Sequence, residues 1–170
     1  MKHMQTAITL IPVWFLAAGP AVAADSSIAE QLAGAWSLVS IVANQGDKRL
    51  DIFGPEPRGQ MILSPDGYFS TLTTVASLPD FASNNRTQGT PEEYEAIGKG
   101  ANAHYGTYSV DEENGTISFT VDVSTFPNWE GQVHARVFTL DGNLLSYVNP
   151  SSTVQASSVE VVWRKLGTIQ

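Results

Sequence analysis

From residue 116 to residue 124 apolar and polar side chains alternate without a break: Ile117, Phe119, Val121 and Val123 against Thr116, Ser118, Thr120 and Asp122. A period of two lines one face of an extended strand with the apolar set and leaves the other face polar. Less regular runs of the same kind fill residues 34–42, 59–63, 68–75, 104–110, 132–140, 144–148 and 159–164. Turn residues separate them: Asn44-Gln45-Gly46-Asp47, Ser64-Pro65-Asp66-Gly67, residues 111–115 and Asp141-Gly142-Asn143. The Pro-Asp-Gly turn and its returning run make a hairpin by their chemistry. About eight strands at hairpin spacing predict an all-β antiparallel fold, a sandwich or an up-and-down barrel.

Three stretches break the rhythm. Residues 48–57 end in Gly54-Pro55-Glu56-Pro57, whose prolines forbid a regular ladder. Residues 76–89 have no period and form a long loop, followed by the capping box Thr90-Pro91-Glu92-Glu93 with proline at the first helical position. One short helix is therefore expected near residues 91–97, stopped by Gly98 and Gly100, and in a barrel this loop and helix would lie across the open end. Phe126-Pro127-Asn128-Trp129 is an aromatic loop in which Trp129 either plugs a barrel end or forms its lip.

The two ends of the folded region echo each other. Gly34-Ala35-Trp36 opens the first strand and Val162-Trp163-Arg164 closes the last, and a sheet that closes on itself must pair its last strand with its first. The expected plug has Trp36 as a floor with the Arg164 guanidinium stacked on it.

The chain has 170 residues and no cysteine, so no disulfide framework holds it. Met1-Lys2-His3-Met4 is a basic start, residues 7–18 form an apolar run too short to cross a bilayer, and Ala21-Val22-Ala23 precedes Ala24-Asp25. This is the pattern of a secretory signal over residues 1–24, leaving 25–170 as one domain bound for the periplasm or the medium. Pro12 and Pro20 interrupt the run, no positive stop-transfer cluster follows it, and no Cys offers a lipid anchor. Asp and Glu number 17 against 9 for Lys and Arg, a net charge of −8. Such a chain gains nothing from counterion release on nucleic acid and is repelled by anionic lipid, which sets both aside as partners.

Little in the sequence announces catalysis. There is no Gly-x-Ser-x-Gly elbow, phosphate-cradling loop or dinucleotide fingerprint. His104 and His134 have no third ligand at metal spacing, and no cofactor is implied. Two strand faces are more suggestive. His134, Arg136 and Phe138 fall at i, i+2 and i+4 of one strand, and His104, Gly106 and Tyr108 share one face of another. Pointed inward, they would give an apolar cup with Arg, His and Tyr in its wall, where Arg136 pairs with a carboxylate or enolate; pointed outward, they are solvated surface.

Gly34 through Ser40, Pro57-Arg58-Gly59-Gln60-Met61-Ile62-Leu63-Ser64-Pro65-Asp66-Gly67, Tyr105-Gly106-Thr107-Tyr108-Ser109-Val110, Phe126-Pro127-Asn128-Trp129-Glu130-Gly131, Arg136-Val137-Phe138, Leu140-Asp141-Gly142-Asn143-Leu144-Leu145 and Val162-Trp163-Arg164 together resemble the bacterial and fungal lipocalin-like domain family. The order and spacing of these blocks cover nearly all of the chain after the leader. The resemblance implies a small antiparallel up-and-down β-barrel of about eight strands around a cavity, and for most members no assigned activity. The chain departs from the family at Ser118 and Phe119, where members often carry His, so a catalytic role for that His does not carry over. Three readings follow. The first is an exported barrel that binds a small apolar or amphipathic molecule through Arg136, His134, Tyr108, His104, Phe119, Phe138 and Trp129. The second is an isomerase, cyclase or hydrolase using Arg136 with a His or Tyr. The third is a barrel filled by its own side chains.

Overall fold

The structure, a computed structural model, describes residues 26–150 and 156–167; the expected leader, residues 1–24, lies outside them. Nine strands follow in chain order: β1 (Gly34–Gln45), β2 (Lys48–Asp51), β3 (Arg58–Leu63), β4 (Tyr68–Thr74), β5 (Ala101–Asp111), β6 (Thr116–Ser124), β7 (Val133–Asp141), β8 (Leu144–Asn149) and β9 (Ser158–Lys165). Helix α1 (Ile28–Leu32) precedes β1, α2 (Pro91–Gly100) joins β4 to β5, and a single 3-10 turn at Pro127–Trp129 joins β6 to β7.

Every pairing is antiparallel and each strand from β3 onward pairs with the next. β1 pairs with β3 on one side and with β9 on the other, from Trp36↔Lys165 to Asn44↔Ser158, so eight strands close into a ring. The fold is thus the expected all-β antiparallel barrel, with no edge left along its closing seam. β2 stands outside the ring as a hairpin arm on β1, Val42↔Asp51 to Gln45↔Lys48. The prolines do forbid a ladder, but the residues that pair, Lys48–Asp51, come before them.

Side chains at alternate positions point inward, and two irregularities shift that parity. A bulge between Leu38 and Ser40 turns β1 so that Trp36 and Leu38, then Ala43, are buried. A second lies opposite Tyr105 and Gly106, where Asp122 is an extra residue on β6: Val121 and then Ser124 are buried while Val123, expected on the apolar face, is exposed, and β5 there runs so close to β6 that a Cβ on Gly106 would stand 2.0 Å from the Thr120 carbonyl oxygen. Only glycine fits there.

One half of the barrel is packed solid. Leu32, Trp36, Leu63, Ile117 and Leu145 are fully buried, and α1 closes that end. The helix starts on a Ser27/Glu30 capping box, and the Glu112 carboxylate accepts the Ala29 N–H at 3.0 Å. The Trp36 indole N–H donates to the Leu32 carbonyl at 2.9 Å. The cation over the Trp36 ring is Lys165, 5.5 Å from its centroid, with its ammonium also donating to the Gln31 carbonyl. Arg164 is not there, contrary to expectation: Trp163 points inward, so its neighbour must point out, while Lys165 lies directly opposite Trp36 in the register.

The helix expected near residues 91–97 runs on through Gly98 to Gly100, where Ala101 turns extended and still donates its N–H to Ile97. Gly100 ends it by close packing, since a Cβ there would meet Leu78 at 2.8 Å and Val75 at 3.2 Å. The preceding loop folds onto this helix through Phe81 against Tyr94, with ring centroids 5.6 Å apart.

Candidate functional site: a buried cation in the hollow half of the barrel

The end opposite α1 is not filled. A cavity of about 60 Å³ lies inside the ring, over an apolar floor of Met61, Phe119, Val161 and Trp163. Polar groups meet it from two sides. Thr71, Thr73, Asn102 and His104 come from β4 and β5, and Arg136, Tyr147 and Asn149 from β7 and β8. Neither α2 nor the loop before it lines this space, so the connection expected across the open end contributes no wall to it.

The inward reading of the two suggestive faces is the one the structure adopts. On β7 the even positions His134, Arg136, Phe138 and Leu140 turn in, while Val133 is 63 % and Val137 71 % exposed. On β5 the interior takes His104, Gly106 and Tyr108, and Tyr105 faces out.

Arg136 is 9 % exposed. Its Nε–H donates to the Asn149 side-chain oxygen and its Nη1–H to the His134 carbonyl at 3.0 Å. The guanidinium carbon stands 5.3 Å from the Phe119 ring centroid and 5.4 Å from that of Tyr147, a cation held between two π faces. Its neighbours are all neutral: among the described residues no carboxylate pairs with it, the ion pairs there being Arg49–Glu160 and Lys99–Glu95. Burial lowers its pKa from the ordinary arginine value, yet a guanidinium remains charged. Tyr147 accepts the Trp163 indole N–H at 3.0 Å, and its own hydroxyl proton has no acceptor among the described residues. Burial raises the Tyr147 pKa, which keeps that proton in place.

His104 and His134 flank Trp129, with ring centroids 5.2 Å and 5.5 Å from the indole. Phe69 meets His104 from the other side at 5.6 Å. Burial, then the charge on Arg136, then His134, push the His104 pKa down to about 4. His134 is lowered too, by burial first and Arg136 second. Both rings are therefore neutral at pH 7, and each holds a buried nitrogen without a partner among the described residues, Nδ1 of His104 and Nε2 of His134.

Four of the seven residues singled out from the sequence line the cavity: His104, Phe119, Trp129 and Arg136. His134 adjoins them through Trp129 and through its carbonyl on Arg136. Tyr108 lies elsewhere, its hydroxyl donating to the Ser64 carbonyl at 2.8 Å by the hairpin turn, and Phe138 packs against the core. Trp129 borders the cavity rather than closing the filled end. Tyr147 and Asn149 were missed because residues 144–149 show no clean alternation; once the register is known, β7 and β8 run side by side and the Arg136 side chain reaches Asn149.

No group of three or more His, Cys, Asp or Glu side chains able to hold a metal ion assembles among the described residues. What remains is a closed antiparallel barrel, stoppered at one end and hollow at the other around a positive charge, which places the protein among ligand-binding barrels in general. The family model of the lipocalin-like domain matches residues 33–166, and the chain belongs to that family. Comparison with curated proteins returns no match.

Proposed function

We propose that the protein binds a small amphipathic molecule in the hollow half of the barrel, gripping its carboxylate or enolate oxygen with Arg136. The observation that carries this reading is a buried cation whose partners are all neutral. Holding an unpaired charge out of water costs several kcal/mol, and a bound anion is the group that offsets it. The N–H groups of Arg136 and the Tyr147 O–H that have no partner among the described residues are the donors for such an oxygen. A cavity of about 60 Å³ is far below the roughly 300–1,000 Å³ of drug-sized sites, so the ligand is a short molecule rather than a long acyl chain. Export belongs to the same proposal: residues 1–24 direct the chain across the membrane, and the barrel meets its ligand in the periplasm or outside the cell.

Titration of acetate and propionate into residues 25–170, followed by calorimetry and amide chemical shifts, tests the reading. Saturable binding that disappears in Arg136→Met is the expected result. No binding of either acid, or equal binding by the variant, overturns it.

A further inference from the structure

The residues that line the cavity sit on strands except Trp129, on the 3-10 turn, and Phe53, which no regular element carries. Phe53 comes from a gap in the sheet. On the side away from β9, β1 pairs with β3 as far as Ser37 and with β2 from Val42. Between these ladders Val39, Ser40 and Ile41 have no strand beside them on that side among the described residues. The connection from β2 to β3, residues 52–57, leads from one ladder to the other, and from it Phe53 lines the cavity, as Ile41 and Met61 do from the two flanking strands.

This connection is made to stay out of the sheet. Pro55 and Pro57 have no N–H to give a ladder, and Gly54 takes φ +78° with nothing within 4 Å of the place a Cβ would occupy. Its near end is fixed, because β2 is tied to β9 by two bonds from Arg49 to Glu160 at 3.0 and 2.8 Å. The Gly54 N–H on the Asp51 carbonyl at 2.9 Å and the half-buried Ile52 hold the next residues. No aromatic ring packs on Phe53 among the described residues, whereas Trp129 is gripped by Phe126, His104 and His134. The other parting of neighbouring strands, β7 from β8 beyond Phe138↔Tyr147, is bridged by the bond from Arg136 to Asn149.

We infer that Phe53 is a movable shutter over the cavity: residues 52–57 swing between the fixed ends of β2 and β3, and small molecules pass through the gap this leaves along β1. A loop with few packed contacts opens at lower free energy than a strand that must break its ladder, and glycine at a left-handed φ is a hinge that takes up the change. The inference rests on the cavity and not on what binds in it.

The chain has no cysteine, so a single introduced thiol reports access without background. Val161→Cys places one on the cavity floor, on the residue paired with Ile41, and Val121→Cys places one at a buried position outside the lining. Iodoacetamide is expected to alkylate Val161→Cys at least about tenfold faster than Val121→Cys, because local opening runs ahead of global unfolding. Adding Phe53→Ala should raise that ratio by about a further tenfold, and adding Trp129→Ala should raise it far less. Comparing the two thiols in each background removes any loss of global stability, which speeds both alike. Equal rates at the two thiols, a ratio that Phe53→Ala leaves unchanged, or one that Trp129→Ala raises as far overturns the shutter. Each of these results leaves the Arg136 reading intact, since acid titration alone decides it.

Discussion

At the scale of single residues the interior carries its chemistry on β7, and it does so by inverting the usual pattern. Val133, Ala135 and Val137 face solvent, while His134 and Arg136 face the core. Periodicity located the strand and grouped its faces, but hydropathy favours the wrong face here, which is why the inward and outward readings of Arg136 stood level until the register was known. The inversion is itself the mark of a site, since burying a cation and two imidazoles costs stability that packing alone would not give up. His104 makes that cost measurable. Its pKa is about 4 in the barrel against an ordinary 6.5, so protonation favours the unfolded chain. Stability is therefore fully present above pH 6.5 and falls as the pH drops toward 4, by up to about 3 kcal/mol from this group. Urea unfolding at pH 7 and pH 4.5 should show that loss, and His104→Phe should shrink it by most of that amount. An identical acid loss in both proteins would mean that the ring is not held neutral by burial.

Among the elements, the strands with turn chemistry at both ends were legible from the sequence, and those that depend on close approach were not. The Ser64–Gly67 turn and the alternation of β6 define themselves locally. α1 leaves no helical period in the sequence, since it has only five residues, although Ser27 and Glu30 form a capping box; tertiary contact with the barrel end, not propensity, holds it. β2 was lost for a similar reason, its ladder ending four residues before the first proline. Gly106 is the clearest case of hidden constraint. Nothing beside it in sequence signals that β5 and β6 touch there, yet a methyl group would lie 2.0 Å from the Thr120 oxygen and 2.9 Å from the Asp122 nitrogen. Both are backbone atoms that cannot swing aside. Gly106→Ala should cost more than about 3 kcal/mol, enough to leave the chain unfolded or molten by circular dichroism. Gly98→Ala, in the open on α2 with nothing within 4 Å, should instead raise stability by up to about 1 kcal/mol. If both substitutions behaved alike, strand contact would not be what sets the residue at position 106.

Across the whole molecule the barrel divides into a half that stores stability and a half that gives it up. The α1 end has Leu32, Trp36, Leu63, Ile117 and Leu145 without exposed surface; the opposite end has a void, a buried charge and two imidazole nitrogens that have no partner among the described residues. This division predicts opposite signatures for substitutions in the two halves. Leu32→Ala empties a fully buried site at the stopper and should cost about 2–5 kcal/mol, the range for leucine truncation in a packed core. Carboxylate affinity should not change, because no residue of α1 borders the cavity. Arg136→Met does the reverse. It forfeits the bonds to Asn149 and the His134 carbonyl, roughly 1–3 kcal/mol for each acceptor left bare, but removes an uncompensated charge whose burial costs several kcal/mol. The ligand-free variant should therefore unfold no earlier than the parent. Adding acetate at about 100 times its dissociation constant should stabilise the parent by roughly 3 kcal/mol and leave Arg136→Met unmoved. Parallel thermal melts with and without acetate read both effects together. A loss of stability in Arg136→Met as large as that in Leu32→Ala would show the guanidinium to be a structural strut and would remove the physical ground for an anion in the barrel.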